Sequence, residues 1–212
     1  MTPMLRRLRT LVVAGAALAA ISPAAAQASG SYTTLSGSGF TVPAGLQDIG
    51  NHCDDCTTFV PLPFLVNIYG VNYSGAYVSS NGNLQFTTNS TQYTNDPLPT
   101  ANLGASLMPF WDDLRTDGGA QGIFVRKQGR LGKRKFTIEW RAATYNGALP
   151  VNFSVVLTEG KSRISTFYGL SGDNGGSATA GIQDGTGVAT QYSNNTPILV
   201  PGARVDYVFR PF

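Results

Sequence analysis

Hydrophobic residues recur at every second position through much of this chain. Phe64, Val66 and Ile68 form one such run, and Phe136, Ile138 and Trp140 form another. Successive side chains of a strand point to opposite faces, so each run predicts a strand buried on one side. Residues 122–127 and 134–141 read as paired strands around a turn at 129–132. Residues 151–157 and 164–168 read as a second pair across Glu159-Gly160-Lys161, and 178–183, 188–192 and 203–210 read as further strands. Asn81-Gly82, between Tyr77-Val78-Ser79 and Leu84-Gln85-Phe86, predicts a tight hairpin with a type I′ turn. No window past the first 26 residues shows the 3.6-residue period of an amphipathic helix. The pattern predicts an all-β fold, an antiparallel β-sandwich of roughly ten to twelve strands.

The segment from Met108 to Leu114 is its predicted centre. Phe110 and Trp111 read as the buried end of a strand, with Trp140, the other tryptophan, as a second core anchor. Asp112, Asp113, Asp117, Gly118 and Gly119 read as the turn that follows.

The first 26 residues stand apart. Arg6, Arg7 and Arg9 precede an apolar run from Leu11 to Ile21, and Pro23-Ala24-Ala25-Ala26 supplies small residues. A positive start, an apolar stretch too short to span a bilayer and an A-x-A site are the parts of a secretory signal peptide. Cleavage after Ala26 leaves one domain, 27–212, with a loose arm or weak first strand at 27–39. Removing three of the fifteen Lys and Arg residues leaves twelve, matched by twelve acids, so the exported chain is formally neutral. Net charge therefore gives no general case for nucleic-acid binding. No later segment is long and apolar enough to span a membrane as a helix. The C-terminal Phe212 is a feature of outer-membrane barrels, but Arg210, Asp206 and Arg204 break the lipid-facing alternation. The expected location is secreted, periplasmic or extracellular.

Candidate chemistry is sparse. Cys53 and Cys56 are the only cysteines, and in an exported protein this spacing reads as a disulfide. A redox motif at a strand-to-helix junction and a zinc site with His52 are the alternatives. Asp112, Asp113 and Asp117, joined by Asp54 and Asp55 if the fold brings the loops together, offer the hard oxygen ligands that calcium takes. The same residues also serve as ordinary turn and cap residues. Arg126, Lys127, Arg130, Lys133, Arg134 and Lys135 put half of the exported chain's positive charge on one hairpin, as an anionic contact surface or as a charged edge. Tyr73, Tyr77, Tyr93, Tyr145 and Tyr192 lie in or near loops with Asn neighbours, either as the stacking rings of a glycan-binding face or as the scattered tyrosines ordinary in β proteins. Glu139 and Glu159 are the carboxylates a glycosidase would use, yet Glu139 alternates out of phase with Trp140 and Glu159 sits at a turn, so both are expected to face solvent. No G-x-S-x-G elbow, H-E-x-x-H or P-loop occurs, and His52 is the single histidine. A catalytic constellation is not expected.

Five motifs in order carry a family resemblance: Phe110-Trp111-Asp112-Asp113, the strand from Phe136 to Trp140, Asn152 to Leu157, Ile164 to Gly169, and Ala178 to Gln183. Together they resemble the nidogen-like extracellular domain. The resemblance implies a β module of matrix, adhesion and secreted bacterial proteins that brings no catalytic residues. The expected partner is then an extracellular matrix or surface protein, or a glycan, with no specific nucleic acid. A secreted hydrolase is the remaining alternative. Unlike the larger members, this chain is expected to stand alone, without EGF-like or other companion domains.

Overall fold

The computed structural model describes residues 30–212, so the predicted leader at 1–26 lies outside the described residues. Two antiparallel sheets face one another. The first runs β1 (Gly30–Gly37), β14 (Arg204–Pro211), β11 (Arg163–Ser171), β10 (Pro150–Thr158), β9 (Lys135–Thr144), β8 (Gly122–Gln128), β2 (Gln47–Asp48), with β7 (Leu114–Arg115) also paired to β9. The second runs β13 (Ala189–Asn194), β12 (Thr179–Asp184), β6 (Ala105–Trp111), β5 (Asn83–Gln85), β4 (Val71–Ser79), β3 (Thr57–Ile68). The all-β sandwich expected from the alternation is what forms, with fourteen strands among the described residues, two of them only two residues long. No helix among the described residues is long and apolar enough to cross a membrane.

The alternation in β9 and β10 builds the core. Trp140 stacks on Phe153 with ring centroids 4.9 Å apart, and Phe153 stacks on Phe110 of the opposite sheet at 5.5 Å. These three rings are completely or almost completely buried and join the two sheets. The Trp140 indole also donates to the Ser79 carbonyl at 2.8 Å. Trp111 points the other way from its neighbour Phe110, as adjacent strand residues must. It packs with Leu103, Met108 and Leu98 in a separate cluster and donates to the Gln92 carbonyl at 3.0 Å. Edge strand β3 carries Pro61 and Pro63, which lack the amide a further strand would need.

One open reading is resolved and two expectations need correction. Of the two readings of 27–39, a loose arm or a weak first strand, the described part forms a strand, β1, eight residues long and paired with β14 from Gly30↔Pro211 to Gly37↔Arg204. From there the chain crosses the outer face of the first sheet as a strap. Phe40 packs on Phe167 and Arg204, Val42 approaches Gly169, Gly45 meets Glu139, and β2 pairs with β8 at the far edge. The strap buries Glu139, which was expected to face solvent and is only 6% exposed. Its carboxylate accepts from the Gly45 amide (2.9 Å), Arg141 (2.8 Å) and Asn152 (3.0 Å). The Asn81-Gly82 hairpin is real but is not type I′. Ser79 pairs with Asn83 across a three-residue loop, and of Asn81 and Gly82 only Gly82 has positive φ, at 70°.

Candidate functional site

Antiparallel order brings many loops to one end of the sandwich. β4, β6, β9 and β11 finish there, and β3, β10 and β12 start there. The loops are tied by hydrogen bonds between elements far apart in sequence. Asn81, fully buried, accepts from the Leu114 amide at 3.0 Å and donates to Asp55 at 2.8 Å. The Tyr145 amide donates to the Asp113 carbonyl at 2.8 Å, and Ser177 Oγ donates to Asp112 Oδ2 at 2.6 Å. Ser80 Oγ donates to the Asp54 carbonyl. The Asn81 side chain is thus spent on tying loops.

The three aspartates singled out in the sequence are not brought together. Asp112 turns inward to Ser177 and the Asp113 amide, and burial pushes its carboxyl up to about 6. Asp117 forms a two-point pair with Arg115, with both bonds at 2.7 Å, which holds its carboxyl below the usual range. Asp113 instead joins Asp54 and Asp55, and one carboxylate oxygen from each lies within 4.8 Å of the others. Partial burial raises Asp113 and Asp54, and Asp55 adds like-charge repulsion to both. Asp54 Oδ1 is buried with no hydrogen-bond partner.

Cys53 and Cys56 are disulfide-bonded and hold the Asp54-Asp55 loop, so neither thiolate is free to ligate zinc. His52 sits at the surface, 2.7 Å from Asp48, and that carboxylate raises its pKa.

Asp112 and Asp113 form the wall between two clefts. One, of about 310 Å³, is lined by Thr144, Tyr145, Asn146, Leu149, Asp173 and Ser177. The other, of about 480 Å³, is lined by Tyr93, Thr94, Asn95, Gly176, Ser177 and Asn195. Tyr145 and Tyr93 are 57% and 47% exposed, so an open aromatic ring flanks the carboxylates on each side. The other three tyrosines lie elsewhere. Tyr73 packs on Phe86, Tyr77 on Phe59, and Tyr192 against the core. The sequence reading missed Asp173, Ser177 and Asn81. The turn run Asp173-Asn174-Gly175-Gly176 was the available signal for the first.

The basic hairpin occupies the opposite end. Lys127, Arg130, Lys133 and Lys135 are exposed, whereas Arg134 is bound to Glu159 through two side-chain hydrogen bonds. That guanidinium holds the Glu159 carboxyl down at about 2. The two glutamates a glycosidase would use are therefore each committed to an arginine, Glu139 to Arg141 and Glu159 to Arg134.

Compared with known protein families, residues 24–209 match the family model described as NIDO related. No curated protein and no solved structure matches the chain.

Proposed function

The chain belongs to the nidogen-related family, and from that membership we propose that it is an extracellular, non-enzymatic interaction module that binds a matrix or cell-surface partner through its loop end. The observation that carries this reading is the placing of Tyr93 and Tyr145, both open to solvent, on either side of the Asp112-Asp113 wall. Clefts with a few convergent polar groups and exposed aromatics are the usual form of a recognition site. The non-enzymatic part draws on the commitments of the candidate catalytic groups: His52 to Asp48, Glu139 to Arg141 and Glu159 to Arg134.

Calcium is the proposed cofactor. Asp54, Asp55 and Asp113 supply clustered hard oxygens, and a divalent cation would relieve the repulsion among them and occupy the unpartnered Asp54 Oδ1. Bound there, it would stiffen the loops beside both clefts.

A glycan is the second reading, favoured by the same two tyrosines, because sugar rings stack on aromatic faces and carboxylates accept from hydroxyls. The test is a screen of the exported protein against arrayed glycans and matrix proteins, with calcium and with chelator. Binding that needs calcium and is lost in Asp113→Asn and Tyr145→Ala supports the proposal. Binding that survives both substitutions moves the site away from the loop end, and no hit with either ligand class overturns it. Calorimetry with calcium alone tests the ion, and no heat together with no rise in melting temperature at millimolar calcium removes it.

A further inference from the structure

The charges of this chain are sorted by position. Among the described residues, five of the twelve Lys and Arg form ion pairs, namely Arg115, Arg134, Arg141, Arg163 and Arg204. The seven others all lie on the β8–β9 hairpin, on the adjacent β10–β11 turn or at the end of β14, which is one end of the sandwich. Five of the twelve acids are likewise engaged with Arg or His. Of the remainder, Asp54, Asp55, Asp112, Asp113 and Asp173 all lie in the opposite loop end. Asp96 and Asp184 have no cation partner and bond within their own loops, to Asn102 and Thr186; Asp184 closes β12 at the hairpin end, where the seven unpaired cations outnumber it. The ten residues of β9 separate the two ends by roughly 30 Å at about 3.3 Å per residue. The described residues, with twelve Lys and Arg and twelve Asp and Glu, therefore carry net unpaired charge of opposite sign on their two ends.

The shapes of the ends match as well. The hairpin turn closes through the Lys133 amide to the Arg130 carbonyl at 2.9 Å and leaves Leu131 at its apex, 80% exposed. The smaller cleft at the other end, about 310 Å³, has Leu149 and Tyr145 in its lining and Asp113 and Asp173 beside them. It offers an apolar lining for Leu131 and carboxylates for Arg130 and Lys133.

We propose that copies of this chain associate head to tail, the Arg130-Leu131-Gly132-Lys133 tip of one entering the Asp113–Asp173 cleft of the next. The two surfaces are different patches, so the contact is heterologous and each added copy leaves a free tip and a free cleft. The product is an open chain of molecules. A tip in a cleft buries little area, so association is weak and requires concentrated protein or a surface that concentrates it. The inference rests on the loop end being a binding face, but the two fail separately, since glycan and matrix binding is scored on the dilute monomer.

The test is sedimentation velocity of the purified exported protein in chelator. At about 0.01 M salt, where the screening length is roughly 30 Å, the sedimentation coefficient should rise steadily with concentration. At about 1 M salt, where that length is roughly 3 Å, it should return to the monomer value. A tip variant (Arg130→Ser, Leu131→Ser, Lys133→Ser) and a cleft variant (Asp113→Asn, Asp173→Asn) should each remain monomeric. Mixed in equal amounts they should form dimers and stop there, because the pair has one intact tip and one intact cleft, which fill each other and leave none free. Circular dichroism of both variants checks that they fold. The proposal is overturned by a monomeric wild type at low salt, by variants that associate like wild type, or by a mixture that stays monomeric. A wild type that is monomeric alone and instead binds a heparin-like polymer through the tip also overturns it, giving that end an anionic polymer as occupant.

Discussion

Glu139 Oε2 accepts the Gly45 amide at 2.9 Å, fastening the middle of the strap to the central region of the sheet beneath it. The same oxygen takes Arg141, and Oε1 takes Asn152. Glu139→Ala leaves the Gly45 amide without its acceptor and should cost about 2 kcal/mol. Glu139→Gln keeps one acceptor oxygen and should recover part of that loss. Urea unfolding of both variants checks the order, and equal midpoints for Ala and wild type would remove the strap's fastening role.

Gly82 is required by both shape and backbone. Its φ is 70°, and a Cβ placed there would lie 1.9 Å from the Phe110 carbonyl oxygen. Gly82→Ala should lower stability by about 2 kcal/mol or more, since strain at positive φ adds to a clash with backbone. Thermal unfolding measures it. The effect should reach the loop end, because Gly82 adjoins Asn81, which ties Leu114 and Asp55.

Asp112 should make the fold more stable in mild acid. Its carboxyl is raised from 3.8 to about 6 in the folded state, chiefly by burial. The folded form therefore binds the proton more tightly, and stability from this group is complete below the unfolded value and lost as pH rises through about 6. Asp112→Asn should flatten the stability profile between pH 3.8 and about 6, and should leave the protein at pH 8 as stable as wild type or more so. A profile that keeps its slope in that window would assign the titration elsewhere.

The Cys53–Cys56 bridge closes a loop of only a few residues, so its chain-entropy contribution is small, about 2 kcal/mol. Its greater effect should be on the Asp54-Asp55 loop that it encloses. Cys53→Ser/Cys56→Ser should lower the melting temperature modestly and weaken the proposed calcium binding several-fold, both readable in one calorimetric series. Unchanged calcium affinity would mean that the carboxylate cluster needs no bridge to hold its shape.

Local pattern carried the strands well because a strand buried on one face writes its period directly into the chain. Phe136, Ile138 and Trp140 are all core residues, and the intervening Glu139 was legible as lying on the other face. That the other face is itself covered was not legible, since the covering residues, Phe40 to Gly45, lie about a hundred positions away and show no strand period. The Asn81-Gly82 dipeptide announced its hairpin, but the turn type was decided by the tertiary bonds that Asn81 makes. The aspartate trio failed as a set for a similar reason. Asp112 turns to Ser177 while Asp113 faces Asp54 and Asp55, and Asp117 already has Arg115 within reach two residues away. Only the folded chain could bring Asp113 to Asp54 and Asp55.

The pairing of β1 with β14 also sets an order of events. Gly30 lies opposite Pro211, so the first strand of the described fold finds its partner only in the last. The strap and β2 follow directly from β1, so one short stretch of chain supplies both margins of the larger sheet. A chain made start-first would hold β1 without its partner until β14 had followed, so the larger sheet closes on a pairing between the two strands farthest apart in the described fold.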